Sequence, residues 1–288
     1  MSAGAAALAA RGRGAPAAWA QALTLAALAA YAYHGTAATL WRTWTTNDNY
    51  SHGPLVPLVS LVLVWRRRAA LAAAPRAPEA RGLAWVAAAC AMQVTGVRAD
   101  LFALQGWSLL PLLVGLAWTF LGRRHVRLLL FPILYLAFML TVPPIVMNQL
   151  SYALKEVAVR LATAGAQALG VTLQRAGMTL YLVTGTLRIE NPCGGLRSLV
   201  ALLATGTLFA YVQPGGGWRR LAVLAAAAPI AILGNAARIL LVIVAAHYGS
   251  VEWATGAFHD LTGYLLYAVA LALLVGARRA LSPRVRAA

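Results

Sequence analysis

Apolar residues run through this chain in long blocks, separated by short polar clusters. The blocks fall near residues 16–33, 54–65, 82–97, 101–121, 128–142, 195–212, 221–247 and 261–277. Several approach the roughly 20 apolar residues that a helix needs to cross a bilayer. The pattern predicts an all-α integral membrane protein with about eight transmembrane helices. It forms one polytopic domain over residues 1–288, with short cytoplasmic tails at 1–14 and 278–288. The first block follows Arg11 and Arg13, as a signal peptide would, but it is longer than a signal core and more blocks follow. It is read as a helix that stays. The fifth block stops at Pro143-Pro144, since proline lacks an N–H donor and clashes with the preceding turn.

Residues 145–192 differ and are read as an extracytoplasmic segment. Over 148–169 the pattern is amphipathic, with Lys155, Glu156 and Arg160 on a polar face, as in a helix lying along the interface. Over 171–190, alternating and β-branched residues broken by Gly177 and Gly185 predict a small hairpin.

Composition supports the membrane reading. Hydrophobic residues make up 61% of the chain and charged residues 11%, against roughly a quarter charged in soluble domains. The net charge of +17 raises the question of nucleic acid, but its distribution answers it. Of 24 Lys and Arg residues, 16 sit in clusters at 11–13, 66–81, 123–127, 219–220 and 278–286, at every second loop. That alternation is the positive-inside rule, with the bases facing the cytoplasm and anionic head groups. No nucleic-acid partner is expected, and the bilayer is. Alanine and arginine dominate their classes, suggesting a GC-rich bacterial genome and hence an inner membrane. Of the two cysteines, Cys90 sits in an Ala-rich block and is expected to pack between helices. No disulfide framework is implied.

Polar groups at membrane depth are costly and need a reason. Three stand out. Cys193 opens the sixth block, Arg238 lies in the outer half of the seventh, and His259 opens the eighth. The drawn topology puts all three in the outer leaflet. A thiolate can attack a peptide carbonyl, an imidazole can move the proton, and a guanidinium can hold the oxyanion. A helix start favours the thiolate of Cys193, and Gly194 and Gly195 admit a substrate backbone. Blander roles fit the same residues. Cys193 can be a small residue at a helix start, Arg238 can pair with a carbonyl or with Asp260, and His259 can sit at the interface. Arg197, one turn after Cys193, suits an acidic substrate group or a lipid-facing role. Asn235, one turn before Arg238, suits orienting it or helix packing. Asp48 and His52, in the outer loop 43–53, suit a substrate entrance or the ordering of the second block. His34, His125 and His247 are read as interfacial. No histidine pair has ligand spacing, so neither metal nor cofactor is expected.

The motifs carry a resemblance. Cys193-Gly194-Gly195-Leu196-Arg197-Ser198 is similar to the nucleophile motif of the exosortase and archaeosortase family. Asn235-Ala236-Ala237-Arg238-Ile239 is similar to its Asn-x-x-Arg-Ile motif, and His259-Asp260-Leu261-Thr262-Gly263 to its His-x-x-x-Gly motif. Asn49-Tyr50-Ser51-His52-Gly53-Pro54-Leu55-Val56-Pro57-Leu58, followed by Trp65-Arg66-Arg67-Arg68, resembles its N-terminal signature. The resemblance implies a membrane cysteine transpeptidase with Cys193 as nucleophile, Arg238 as oxyanion stabiliser and His259 as acid–base. It implies substrates bearing a C-terminal Pro-Glu-Pro-type sorting signal and an acceptor linked to exopolysaccharide machinery. The chain departs from the family at Pro192 and Gly194, where Ala and Ser are frequent.

Two other classes compete. A transporter needs polar groups in both leaflets, whereas the inner halves of these blocks are almost purely apolar. A non-catalytic scaffold for polysaccharide assembly predicts that Cys193 can be replaced freely. No Gly-x-Ser-x-Gly pattern points to a serine hydrolase.

Overall fold

The computed structural model describes residues 3–189 and 195–282. Among them are twelve α-helices. They are α1 (Ala3–Thr46), α2 (Leu55–Arg66), α3 (Arg68–Ala73), α4 (Gly82–Arg98), α5 (Phe102–Trp107), α6 (Leu109–Leu121), α7 (Arg123–Tyr135), α8 (Pro144–Ala168), α9 (Leu196–Val212), α10 (Gly217–Tyr248), α11 (Val251–Thr255) and α12 (Ala257–Leu281). Single 3-10 turns at Asp48–Tyr50 and Leu136–Met139 follow α1 and α7.

Three helical stretches are long and apolar enough to cross a membrane: Phe102–Leu121, Gly217–Tyr248 and Ala257–Leu281. Arg123–Met139 and Pro144–Ala168, bent by 79°, add a fourth if they form one broken span. The first block lies within the 44-residue α1, and the other three form shorter helices, 12 residues in α2 and 17 each in α4 and α9. The outer surface is what lipid would meet. On α12, Leu261, Leu265, Val269 and Leu273 repeat every four residues and are 65%, 58%, 45% and 56% exposed. Such a stripe has no place on a surface facing water, but costs nothing against acyl chains.

Three apolar clusters hold the helices together. One joins α8, α10 and the sheet through Val159, Leu180, Leu187 and Ile243. Another joins α1, α2, α6 and α7 through Leu40, Val56, Val114 and Ile133. A third joins α9, α10 and α12 through Leu199, Leu202, Ala231 and Leu274. Between α4 and α6, Gly82 and Gly115 bring the backbones into close approach, as small residues do in membrane bundles.

A buried polar chain ties α1 to α4, α5 and α6. The Gln93 amide donates to Thr36 Oγ1 and to the Ala32 carbonyl, both at 3.1 Å. Thr36 Oγ1 donates to Gln105 Oε1 (3.3 Å), Ser108 Oγ donates to Gln93 Oε1 (3.1 Å), and Tyr33 pairs with Ser108 at 2.8 Å. These side chains explain why α1 runs past residue 33, where the apolar block stops. Thr36, past that point, is buried and bonded rather than looped out.

The segment expected to form a hairpin has three strands. β1 (Leu173–Ala176), β2 (Thr179–Leu182) and β3 (Gly185–Arg188) form an antiparallel meander in that order. Leu182 pairs with both Leu173 and Gly185. Its buried face, Leu173, Leu180, Leu182 and Leu187, packs on α8 and α10. The amphipathic helix starts earlier than its pattern, at Pro144, where proline suits the first helical position. Two further expectations change. Cys90 is exposed on α4, while the adjacent Ala89 is buried. His125 is buried rather than interfacial.

Candidate active site between three helices

Helix α10 presents Ala231, Asn235 and Arg238 at positions i, i+4 and i+7, which share one face. Asn235 is buried there. Gly195, the residue before α9, packs directly on it. A Cβ at Gly195 would lie 2.6 Å from Asn235 Cγ, and the Gly195 φ of +70° is one that other residues rarely adopt. The position therefore requires glycine for two reasons.

The Arg238 guanidinium reaches across to α12. Its Nη2 donates to the main-chain carbonyl of His259 at 3.1 Å. The same carbonyl accepts from Thr262 Oγ1 at 2.9 Å. Gly263 makes room for this reach, because a Cβ there would lie 2.8 Å from Nη2 and 2.9 Å from Cζ. Ser198, Asn235, Arg238, Gly263 and Tyr267 border a cavity of about 50 Å³, space for about one or two waters. A carbonyl partner for Arg238 is one of the alternatives its sequence position left open, and that carbonyl belongs to His259 itself. The His259 ring is half-buried and close enough to Arg238 to feel its charge.

Cys193 lies outside the described residues. It precedes Gly195 by two positions, and α9 begins three residues after it, at Leu196.

A second group of predicted residues gathers beside the first turn of α9. Arg197 Nη1 is 4.0 Å from Asp48 Oδ1, with both side chains more than half exposed. An ion pair so open to solvent is weak, and its value lies in where it puts the charges. His52 Nε2 donates to the Phe138 carbonyl at 3.0 Å, and its buried Nδ1 has no hydrogen-bond partner among the described residues. Burial, with the nearby Arg197 charge adding to it, pushes the His52 pKa below its usual 6.5, against the opposing pull of the Phe138 carbonyl.

His52 belongs to a set of side chains that hold the link after α7. Trp44 Nε1 donates to the Met139 carbonyl, Trp107 Nε1 to the Thr141 carbonyl, and Tyr50 Oη accepts from the Val142 N–H, each at 2.9 Å. Backbone groups that leave a helix in a membrane protein must find protein partners. Here the N-terminal motif and two tryptophans supply them. Tyr267 and this role of Trp44 and Trp107 are not evident from the motifs. Tyr267 does carry a signal, since it lies one helical turn after Gly263 on the same face.

These features define a multi-pass helical membrane protein with polar side chains gathered between α9, α10 and α12. The family model for transmembrane exosortases matches residues 44–276, a stretch that takes in all four motifs. The chain belongs to the transmembrane exosortase family, a family of cysteine-type transpeptidases. No curated protein and no solved structure matches the chain.

Proposed function

We propose that this protein is a transpeptidase of the bacterial inner membrane, with about eight spans, that cuts C-terminal Pro-Glu-Pro-type sorting signals on the outer side. Cys193 attacks the scissile carbonyl and His259 takes the thiol proton. Arg238 holds the oxyanion of the tetrahedral intermediate. Collapse of the intermediate breaks the C–N bond, leaves a thioester on Cys193, and returns the proton from His259 to the departing amine. An acceptor then attacks the thioester, releases the Cys193 thiol, and receives the new carboxyl end, in a setting linked to exopolysaccharide. Asn235 positions Arg238, Arg197 and Asp48 face the incoming signal, and His52 holds the link after α7 beside them.

One observation carries this reading. The Arg238 guanidinium is bonded to the His259 main chain, while Gly195, two residues after Cys193, is packed on Asn235 one turn before Arg238. Residues of three motifs far apart in sequence thereby border one small cavity. Arginine suits the oxyanion role because it stays charged at any working pH.

The test is processing of an exported reporter with a Pro-Glu-Pro-type tail, in cells carrying wild type or Cys193→Ala at equal protein level. Loss of cleavage in the variant is expected. Equal cleavage by both forms would eliminate the nucleophile and favour the scaffold reading.

A further inference from the structure

The ends of α9, α10 and α12 remote from Arg238 meet on one buried side chain. Gln213 follows α9 directly and is 1% exposed. Its amide donates to the Arg278 carbonyl at 3.3 Å and to Ser282 Oγ at 3.1 Å, both at the end of α12. Two arginines bond back to it. Arg278 Nε donates to Gln213 Oε1 at 3.4 Å, and Arg220 Nε, at the start of α10, donates to the Gln213 carbonyl at 3.3 Å. The Arg278 guanidinium also lies over the Phe209 ring, 5.0 Å from its centroid. One residue thus gathers guanidiniums from two helices and holds each by its Nε.

Nothing acidic balances them. No Asp or Glu occurs in residues 191–251 or 261–288, and among the described residues neither arginine joins an ion pair. Arg219 and Arg279, their chain neighbours, add to the positive field. The place of the pair along the helices says which anion it suits. At about 1.5 Å per residue, Arg220 lies about 27 Å from Arg238 along α10, and Arg278 about 28 Å from His259 along α12. A bilayer core is about 30 Å thick, so the pair stands at head-group depth on the face opposite the pocket. Trp218, of a residue type that settles at that depth, is 64% exposed, with the Arg219 guanidinium over its ring. Leu221, on the same face of α10, is 66% exposed. A soluble anion leaves these apolar groups bare, and a lipid covers them.

We propose that Arg220 and Arg278 form a seat for the phosphodiester of an anionic glycerophospholipid, with an acyl chain against Trp218 and Leu221. Because Gln213 takes each Nε, each guanidinium turns its Nη fork to the phosphate oxygens, a geometry that arginine matches and lysine does not. The lipid ties together the three helices whose other ends build the pocket. This differs from the diffuse attraction of every basic loop to a charged surface, since the seat depends on two particular arginines. It does not depend on the transpeptidase reading.

The experiment places the full chain in nanodiscs of equal phosphatidylglycerol and phosphatidylethanolamine, then reads the retained lipid by native mass spectrometry. Both lipids carry the phosphate, but the ethanolamine ammonium cancels its charge. Wild type should retain phosphatidylglycerol in preference. Arg220→Gln and Arg278→Gln should each cut that preference about fivefold, the scale of one base at an anionic surface. Arg124→Gln, which removes an exposed base from a different cluster, should leave it unchanged. Excess inorganic phosphate should not displace the lipid. Equal retention of the two lipids by wild type would overturn the proposal, as would an unchanged preference in both Arg220→Gln and Arg278→Gln. An equal loss in Arg124→Gln would assign the preference to overall charge and overturn it too. Displacement by phosphate would make the pair a site for a soluble anion instead. Should loss of a Gln213 contact prevent folding, the wild-type, Arg124→Gln and phosphate arms still decide the matter.

Discussion

Gly263→Ala tests the Arg238–His259 arrangement with a single methyl group. The new Cβ would sit 2.8 Å from Arg238 Nη2, 2.9 Å from Cζ and 3.2 Å from Nε. Ordinary contact begins near 3.4 Å, so the guanidinium must retreat by about half an ångström or more. It is the far end of a flexible side chain and can retreat, but its bond to the His259 carbonyl, 3.1 Å long, stretches or breaks. A hydrogen bond from a charged group is worth about 1.5–3 kcal/mol. The helix gains about 1 kcal/mol from replacing glycine by alanine, so the net loss of stability is about 0.5–2 kcal/mol. The effect on rate is larger, because displacing a positioned catalytic group by about 1 Å costs on the order of 100-fold. Gly276→Ala, on the same helix, is the matched control, since a Cβ there meets nothing within 4 Å. The assay is reporter cleavage in cells at equal protein level, paired with thermal unfolding in detergent. Gly263→Ala should fold and cleave about 100-fold more slowly, and Gly276→Ala should cleave like wild type. Wild-type cleavage by Gly263→Ala, or equal losses in both variants, would refute the argument.

Two further outcomes are expected. A membrane-impermeant maleimide added from outside should label wild type and Cys90→Ser alike, and should fail on Cys193→Ser; Cys90 is exposed on α4, and the proposed eight-span arrangement would cover that surface with lipid. Labelling that follows Cys90 instead would break the assigned orientation. His52 should make the fold acid-sensitive. Burial favours its neutral form and lowers its folded pKa below 6.5, so the stabilisation is complete above that value and is lost as pH falls through the folded value. Melting in detergent from about pH 8 to about pH 5 should show this fall, and His52→Gln should flatten it. An unchanged profile in the variant would assign the acid sensitivity elsewhere.

The apolar blocks mark most helices correctly, because length and hydropathy are local properties. The failures share a cause, which is tertiary contact. Tyr33 and Thr36 read as the end of a span, yet α1 continues because Gln93, Gln105 and Ser108 bond them inside the bundle. Gly177 and Gly185 read as breaks around one hairpin. The second turn falls instead at Val183-Thr184, where Thr184 Oγ1 donates to the Ala246 carbonyl of α10 at 2.7 Å. The motifs around Arg238 and His259 were legible as a set expected to meet. Which atoms meet was not, since Asp260 and the His259 carbonyl were equally available to Arg238 by spacing.

The N-terminal motif divides its work between neighbouring residues. Tyr50 and His52 bond the backbone of the link after α7, and Trp44 joins them. The ring of Trp44 in turn lies against Gly53, where any Cβ would collide with it. A change at any of these positions frees a backbone group that has no water to turn to, so lost activity there reports lost structure. Asp48 is different. It is exposed, and its recorded side-chain partner among the described residues is Arg197. Reversing the charges of Asp48 and Arg197, singly and together, therefore probes recognition with the fold left standing. If the two act only on each other, the double reversal restores processing. If each faces a separate charge on the incoming signal, as the proposed function requires, the double reversal does no better than the worse single one.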